Sequence, residues 1–165
     1  MTSSLPVRPN GLAELEKTFG SPLKYVNKKS TWENITLESV SVKYALDYAF
    51  GAAVIHTVRA HKLIVHELVD TLALCTEAGV RTNRLKYGGC YCWRPIGGGH
   101  TLSTHTWGIA VDIEPIENPR DKVWVDDGKM LDPRIIKIFT DRGWFWGGNF
   151  HNRKDPMHFQ WCTGY

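Results

Sequence analysis

Apolar positions along this chain recur with two periods, and the alternation between them outlines the elements. Leu12, Leu15 and Phe19 share one helical face in a segment opened by Asn10 and stopped by Gly20, which predicts a helix over 10–19 capped by Asn10. From Thr36 to Tyr44 the period shortens to two, with Val40, Val42 and Tyr44 on one side, as in a half-buried strand. Ala52 to Val58 reads as a second strand, although periodicity alone leaves a helix open there. The clearest helix is His61 to Ala78. Ile64, Leu68, Leu72 and Cys75 form its stripe, Lys62, Glu67, Asp70 and Glu77 fall largely off it, and Gly79 stops it.

Further on, Gly89–Arg94 reads as a strand, followed by the loop from Pro95 to His100. Gly108 to Glu114 has the pattern of a buried strand, with Ile109, Val111 and Ile113 turned to a core and Asp112 turned away. Asp132-Pro133 supplies an N-cap and an N1 proline for a helix that Gly143 closes, and short strands are expected at Trp144–Trp146 and Met157–Trp161. The sum is an α+β domain, a small antiparallel sheet flanked by helices, with no repeat or linker dividing residues 1–165.

Composition narrows the classes. With 165 residues, 42% of them apolar and 22% charged, the chain can bury roughly 70% of its unfolded surface without staples. A net charge of +3 is spread thinly, with only short clusters such as Lys28-Lys29 and Arg153-Lys154, so no nucleic-acid partner is expected. The longest apolar stretch, Ala45 to Val58, is interrupted by Asp47 and His56 and is too short to insert stably in a membrane. The opening residues lack the apolar core of a secretory signal, which implies synthesis in a cytoplasm. Cys75, Cys90, Cys92 and Cys162 are expected as free thiols; a bridge to Cys162 or a second metal site is the alternative.

Two segments could carry chemistry. In Ser103-Thr-His105-Thr-Trp-Gly108-Ile-Ala-Val-Asp112, a bend at Gly108 would let an imidazole and a carboxylate converge, although a His and an Asp seven residues apart equally describe a hydrogen-bonded core pair. In Asp155-Pro-Met-His158-Phe-Gln160-Trp, a strand over 157–161 puts His158 and Gln160 on one face, with Asp155 held extended before it by Pro156. Two histidines and a carboxylate complete the protein ligands of a catalytic zinc, and a further acid can take a proton from water.

These segments, Ser-x-His-x-x-Gly-x-Ala-x-Asp followed by Asp-Pro-Met-His, resemble the zinc peptidases of bacterial cell walls. That family comprises D-alanyl-D-alanine carboxypeptidases and dipeptidases and the L-alanyl-D-glutamate endopeptidases of phage endolysins, and it shares its fold with the hedgehog signalling domain. The likeness runs from about Tyr87 to Trp161, through Tyr91-Cys-Trp-Arg94-Pro-Ile, Asn118-Pro119 and Gly143-Trp-Phe-Trp-Gly-Gly148. It implies that His105, Asp112 and His158 hold Zn2+, that Asp155 is the general base, and that Arg94 stabilises the oxyanion or holds substrate. Arg94 also reads as an ordinary surface arginine before a loop. Ser103 and Gln160 are candidate substrate contacts, Ser103 as a support for the ligand loop in preference to a nucleophile. Glu114 stands where many relatives have Asn, and a site containing Cys90, Cys92 or Cys162 is the rival ligand set.

Of the other histidines, His56, His61 and His66 read as structural or surface residues, while His100 and His151 could line a cleft. The resemblance implies a monomeric enzyme that cuts the peptidoglycan stem peptide between L-alanine and D-glutamate, made in a host cytoplasm and acting on the bacterial wall. A D-alanyl-D-alanine carboxypeptidase or dipeptidase, or a non-catalytic zinc-binding module of the same fold, is the alternative. Asp155 separates the last, since a silent module needs no base.

Overall fold

A computed structural model describes residues 4–80, 84–97 and 99–165; Gly98 of the expected 95–100 loop and the first three residues of the chain's start lie outside them. Four helices, α1 (Gly11–Phe19), α2 (Lys29–Thr36), α3 (Val65–Glu77) and α4 (Pro133–Asp141), accompany six strands, β1 (Leu37–Tyr48), β2 (Val54–His61), β3 (Lys86–Gly89), β4 (Ala110–Ile113), β5 (Phe145–Trp146) and β6 (His158–Gln160). The strands form one sheet in the order β2-β1-β3-β4-β6-β5, and the α+β class holds. Every pairing is antiparallel except β1 with β3. No helix among the described residues is long and apolar enough to cross a membrane.

The core follows the predicted stripes. Ile64, Leu68, Leu72 and Cys75 are fully or almost fully buried and pack with Val58, Ile109, Val111, Ile113 and Phe139. Phe139 of α4 stacks on Phe159 of β6, centroids 4.1 Å apart, so this helix is fixed against the strand that ends in the candidate site. Asp132 caps α4 by accepting the Arg134 N–H at 2.9 Å.

Several local expectations are corrected. Asn10 does not cap α1 with its side chain; its Oδ1 accepts from Thr163 Oγ1 at 3.2 Å and joins the two ends of the chain. Leu12 is exposed, leaving Leu15 and Phe19 to anchor α1. His61 ends β2 instead of opening the following helix, which starts at Val65. Glu67 lies in the core and is gripped by Arg142 through Nε at 2.5 Å and Nη2 at 2.6 Å, tying α3 to the end of α4. The short helix α2, seated by buried Trp32, was not foreseen. The expected strand over 89–94 stops at Gly89: Cys92 N–H turns to the carbonyl of His105 at 3.2 Å, and Arg94 and Ser103 share a single bond at 3.0 Å. Cys90 is consequently buried while Cys92 is exposed, so they do not share a face.

Candidate metal centre

His105 sits in a single 3-10 turn, Thr104–Trp107, and its N–H donates to the Ser103 hydroxyl at 3.4 Å. The turn ends on Gly108, which has a left-handed φ of 69° and presses so close to β2 that a Cβ there would lie 2.9 Å from the backbone nitrogen of His61. Gly108 therefore supplies both the bend and the close approach. The chain then enters β4, where Ile109, Val111 and Ile113 are fully buried and Asp112 points the other way. Asp112 is paired directly with His158 across the β4–β6 ladder.

These steps bring three ligand atoms to the corners of an almost regular triangle. His105 Nε2 and His158 Nδ1 are 3.2 Å apart, His105 Nε2 and Asp112 Oδ1 are 3.3 Å apart, and His158 Nδ1 and Asp112 Oδ1 are 3.1 Å apart. Tetrahedral zinc with bonds of about 2.0–2.2 Å holds its ligand atoms about 3.3 Å from one another. The donor set fits.

The hydrogen bonds behind the ligands favour the same arrangement. Nδ1–H of His105 donates to the Cys90 carbonyl at 2.6 Å, leaving a lone pair on Nε2. Nε2–H of His158 donates to Gln160 Oε1 at 3.0 Å, leaving a lone pair on Nδ1. The amide of Gln160 is itself oriented, donating from Nε2 to the Cys162 carbonyl at 3.2 Å while Oε1 also accepts from Thr104 Oγ1 at 3.1 Å. With both imidazoles neutral, two lone pairs and a carboxylate oxygen meet at one point, an arrangement that could hold a metal ion. Burial pushes the Asp112 carboxyl up, but when the His105 and His158 rings carry protons their pull outweighs it and holds Asp112 well below the usual carboxylate range.

Asp155 completes the set. Its backbone is locked, with N–H to the Gly147 carbonyl at 3.0 Å and carbonyl to the His158 N–H at 3.0 Å. A Cβ on Gly147 would overlap the Asp155 carbonyl oxygen, so the loop closes this tightly only over glycine. Among the described residues Asp155 Oδ1, which is buried, has no hydrogen-bond partner. Burial, opposed by His158 and reinforced by the Asp112 charge, raises its pKa above the ordinary value.

A small cavity of about 70 Å³ opens over the centre and touches Arg94, Ser103, His105, Asp155, His158 and Gln160. Beside it lies a larger cleft of about 560 Å³, walled by Tyr48, Phe50, Tyr91 and Met157 and sharing Arg94 and His105 with the first. All seven singled-out residues thus converge. Ser103 Oγ meets the backbone of the turn that carries His105, and Gln160 lies beneath His158, 2% exposed. His100 and His151 are exposed and line neither space. Among the described residues no cysteine joins the ligand cluster; all four are free thiols, and burial pushes Cys75 and Cys162 up to about 12. Reasoning from sequence missed Thr104, the Cys90 carbonyl and Arg120. Thr104 stood beside a ligand in the motif; the other two carry no local signal.

Fold and site together define an α+β architecture whose His105, Asp112 and His158 could hold a metal ion. Residues 97–161 match the family model described as D-alanyl-D-alanine carboxypeptidase, which supports that peptidase family for this chain. The match contains His105, Asp112, Asp155 and His158, and Arg94 lies just before it. Comparison with curated proteins gives no match.

Proposed function

We propose that this protein is a zinc metallopeptidase that hydrolyses peptide bonds in bacterial peptidoglycan stem peptides, cutting between L-alanine and D-glutamate as a phage endolysin does. The observation that carries the reading is the triangle of His105, Asp112 and His158 beside the unpartnered Oδ1 of Asp155. His105, Asp112 and His158 would hold the ion. When bound, it supplies the Lewis acidity that brings a water towards ionisation at neutral pH and polarises the scissile carbonyl.

The chain's own groups do the rest. Asp155 Oδ1 accepts the proton of the attacking water and returns it to the leaving amine nitrogen; its raised pKa suits both transfers. Arg94, at the junction of the two spaces, donates to the carbonyl oxygen as negative charge develops there. The open cleft continuing past His105 leaves room for peptide on both sides of the reacting bond, which supports an endopeptidase. Every group is supplied by one chain, so a monomer suffices.

A second reading, removal of terminal D-alanine, is favoured by the description of the matched family. Mass spectrometry of muropeptides released from purified peptidoglycan separates the two. New L-alanine C-termini paired with D-glutamate N-termini are expected; free D-alanine would point to the carboxypeptidase, and no released product would sink both.

A further inference from the structure

Three guanidinium groups gather around the mouth of the site, and they are not equivalent. Arg153 is committed, since its Nε donates to Asp121 Oδ1 at 2.8 Å and its Nη2 to Oδ2. Arg94 is held at the backbone by Thr106, whose hydroxyl donates to the Arg94 carbonyl at 3.1 Å, and it stands on the His105 side. Arg120 is half-buried, and among the described residues its side chain has no hydrogen bond or ion pair. It lines both the small cavity and the large cleft.

The position of Arg120 is built. Asp121 N–H donates to the Lys154 carbonyl at 2.7 Å, so the segment carrying Arg120 is bonded to the segment carrying Asp155. From the other side Gly97 closes in: a Cβ on it would sit 3.6 Å from Arg120 Nη1 and 3.9 Å from Arg153 Nη1. Arg120 and Asp155 line the same small cavity, which places Arg120 on the general-base side of the centre. That is the side on which the leaving amine must be protonated.

The substrate residue that supplies the leaving amine has a particular chemistry. In L-alanyl-D-glutamate the stem continues through the γ-carboxyl, so the α-carboxylate of D-glutamate is free, one carbon from the scissile nitrogen. In D-alanyl-D-alanine the terminal residue carries the same group in the same place. Both readings of the reaction therefore bring an anion to the Asp155 side, where Arg120 lines the cavity with no side-chain partner among the described residues.

We propose that Arg120 is a specificity-determining residue that binds the free α-carboxylate of the amine-side substrate residue; this rests on the peptidase reading above. It explains why two guanidiniums border one reacting bond: Arg94 answers the carbonyl oxygen and Arg120 the carboxylate.

Binding and turnover test it separately. Ligand-observed NMR on metal-free protein compares N-acetyl-L-alanyl-D-glutamic acid γ-methylamide with its α-amide. Wild type should bind the carboxylate form about tenfold or more tightly than the amide, as for one charge-assisted pair. R120M should bind the two within about twofold, R120K should recover part of the preference, and R94M should keep it. With zinc restored, R120M should lose kcat/KM chiefly through KM on the carboxylate peptide. Since Arg120 holds up nothing in the fold, the R120M melting temperature should match wild type. A wild type that binds both ligands alike, or neither, overturns the assignment, as does an R120M that keeps the wild-type ratio. If the preference is present and vanishes in R120M, yet neither peptide is cut, the anion site stands and the peptidase reading falls.

Discussion

Asp112 and His158 face each other directly across the β4–β6 ladder, with Oδ1 3.1 Å from Nδ1. Side chains opposite one another on neighbouring strands are about 5 Å apart at Cβ, so strand register alone brings these two ligands within reach of one ion. A slip of one residue in either strand would turn that strand's residue to the other face. The third ligand, His105, comes from a turn, and its placement depends on Gly108 and the Cys90 carbonyl.

Metal binding should therefore report on folding. Zinc at 100-fold excess over its Kd should stabilise the wild type by about 2.7 kcal/mol. His158→Ala should show no zinc-dependent rise in melting temperature and no retained zinc by elemental analysis. A variant that kept both would remove His158 from the ligand set.

Asp155→Asn should separate catalysis from stability. Turnover should fall roughly 10²- to 10⁴-fold, the usual worth of a general base, while zinc content stays at wild-type level. Since Oδ1 is buried without a partner, the neutral amide should leave stability unchanged or slightly higher. Loss of zinc together with activity would instead make Asp155 a ligand.

Gln160→Leu removes the acceptor that fixes the tautomer of His158. Zinc affinity should drop about 10- to 100-fold, measured by competition with a chelator, with the fold intact by circular dichroism. Unchanged affinity would show that Thr104 or solvent orients His158 equally well.

The Glu67–Arg142 pair joins α3 to α4 away from the site. Arg142→Met should cost about 2–3 kcal/mol in urea unfolding, somewhat below a fully buried pair because Arg142 is 30% exposed. The double variant with Glu67→Met should recover much of that loss, since the stranded carboxylate is gone. Wild-type stability in the single variant would deny the pair any structural role.

Acid should weaken the fold through His61. Burial lowers its pKa from 6.5 to about 4, and the neutral ring is satisfied, with Nε2 on the Phe19 carbonyl at 3.3 Å and Nδ1 accepting from Leu63 N–H at 3.3 Å. The unfolded chain takes up the proton first, so this contribution is complete above about pH 6.5 and is lost as pH falls towards 4. It amounts to about 3 kcal/mol, and His61→Asn should flatten that part of the stability–pH profile.

Most of the candidate cluster could be read from sequence because its side chains sit where local rules are strict. Alternation through Ile109, Val111 and Ile113 dictates the side on which Asp112 emerges, and Phe159 and Trp161 do the same for His158. The misreadings arise where distant contacts outrank local pattern. His61 looked helical because Ile64 and Leu68 continue its spacing, yet its N–H bonds the Gly108 carbonyl at 2.8 Å and extends the strand. Residues 91–94 have strand-forming side chains, but their backbone groups bond to the ligand turn. Arg120 lies in a loop with no periodicity, and only the meeting of Asp121 with Lys154 brings it to the site.

The contact of Gly108 with His61 has one more consequence. The stretch that matches the family, 97–161, owns the ligands but not the means of holding them. His105 leans on a carbonyl at position 90, and the backbone after it is clasped by β2, far earlier in the chain. Excised by itself, that stretch would be a set of donors without a scaffold, so the first ninety-odd residues are the mould in which the centre is cast.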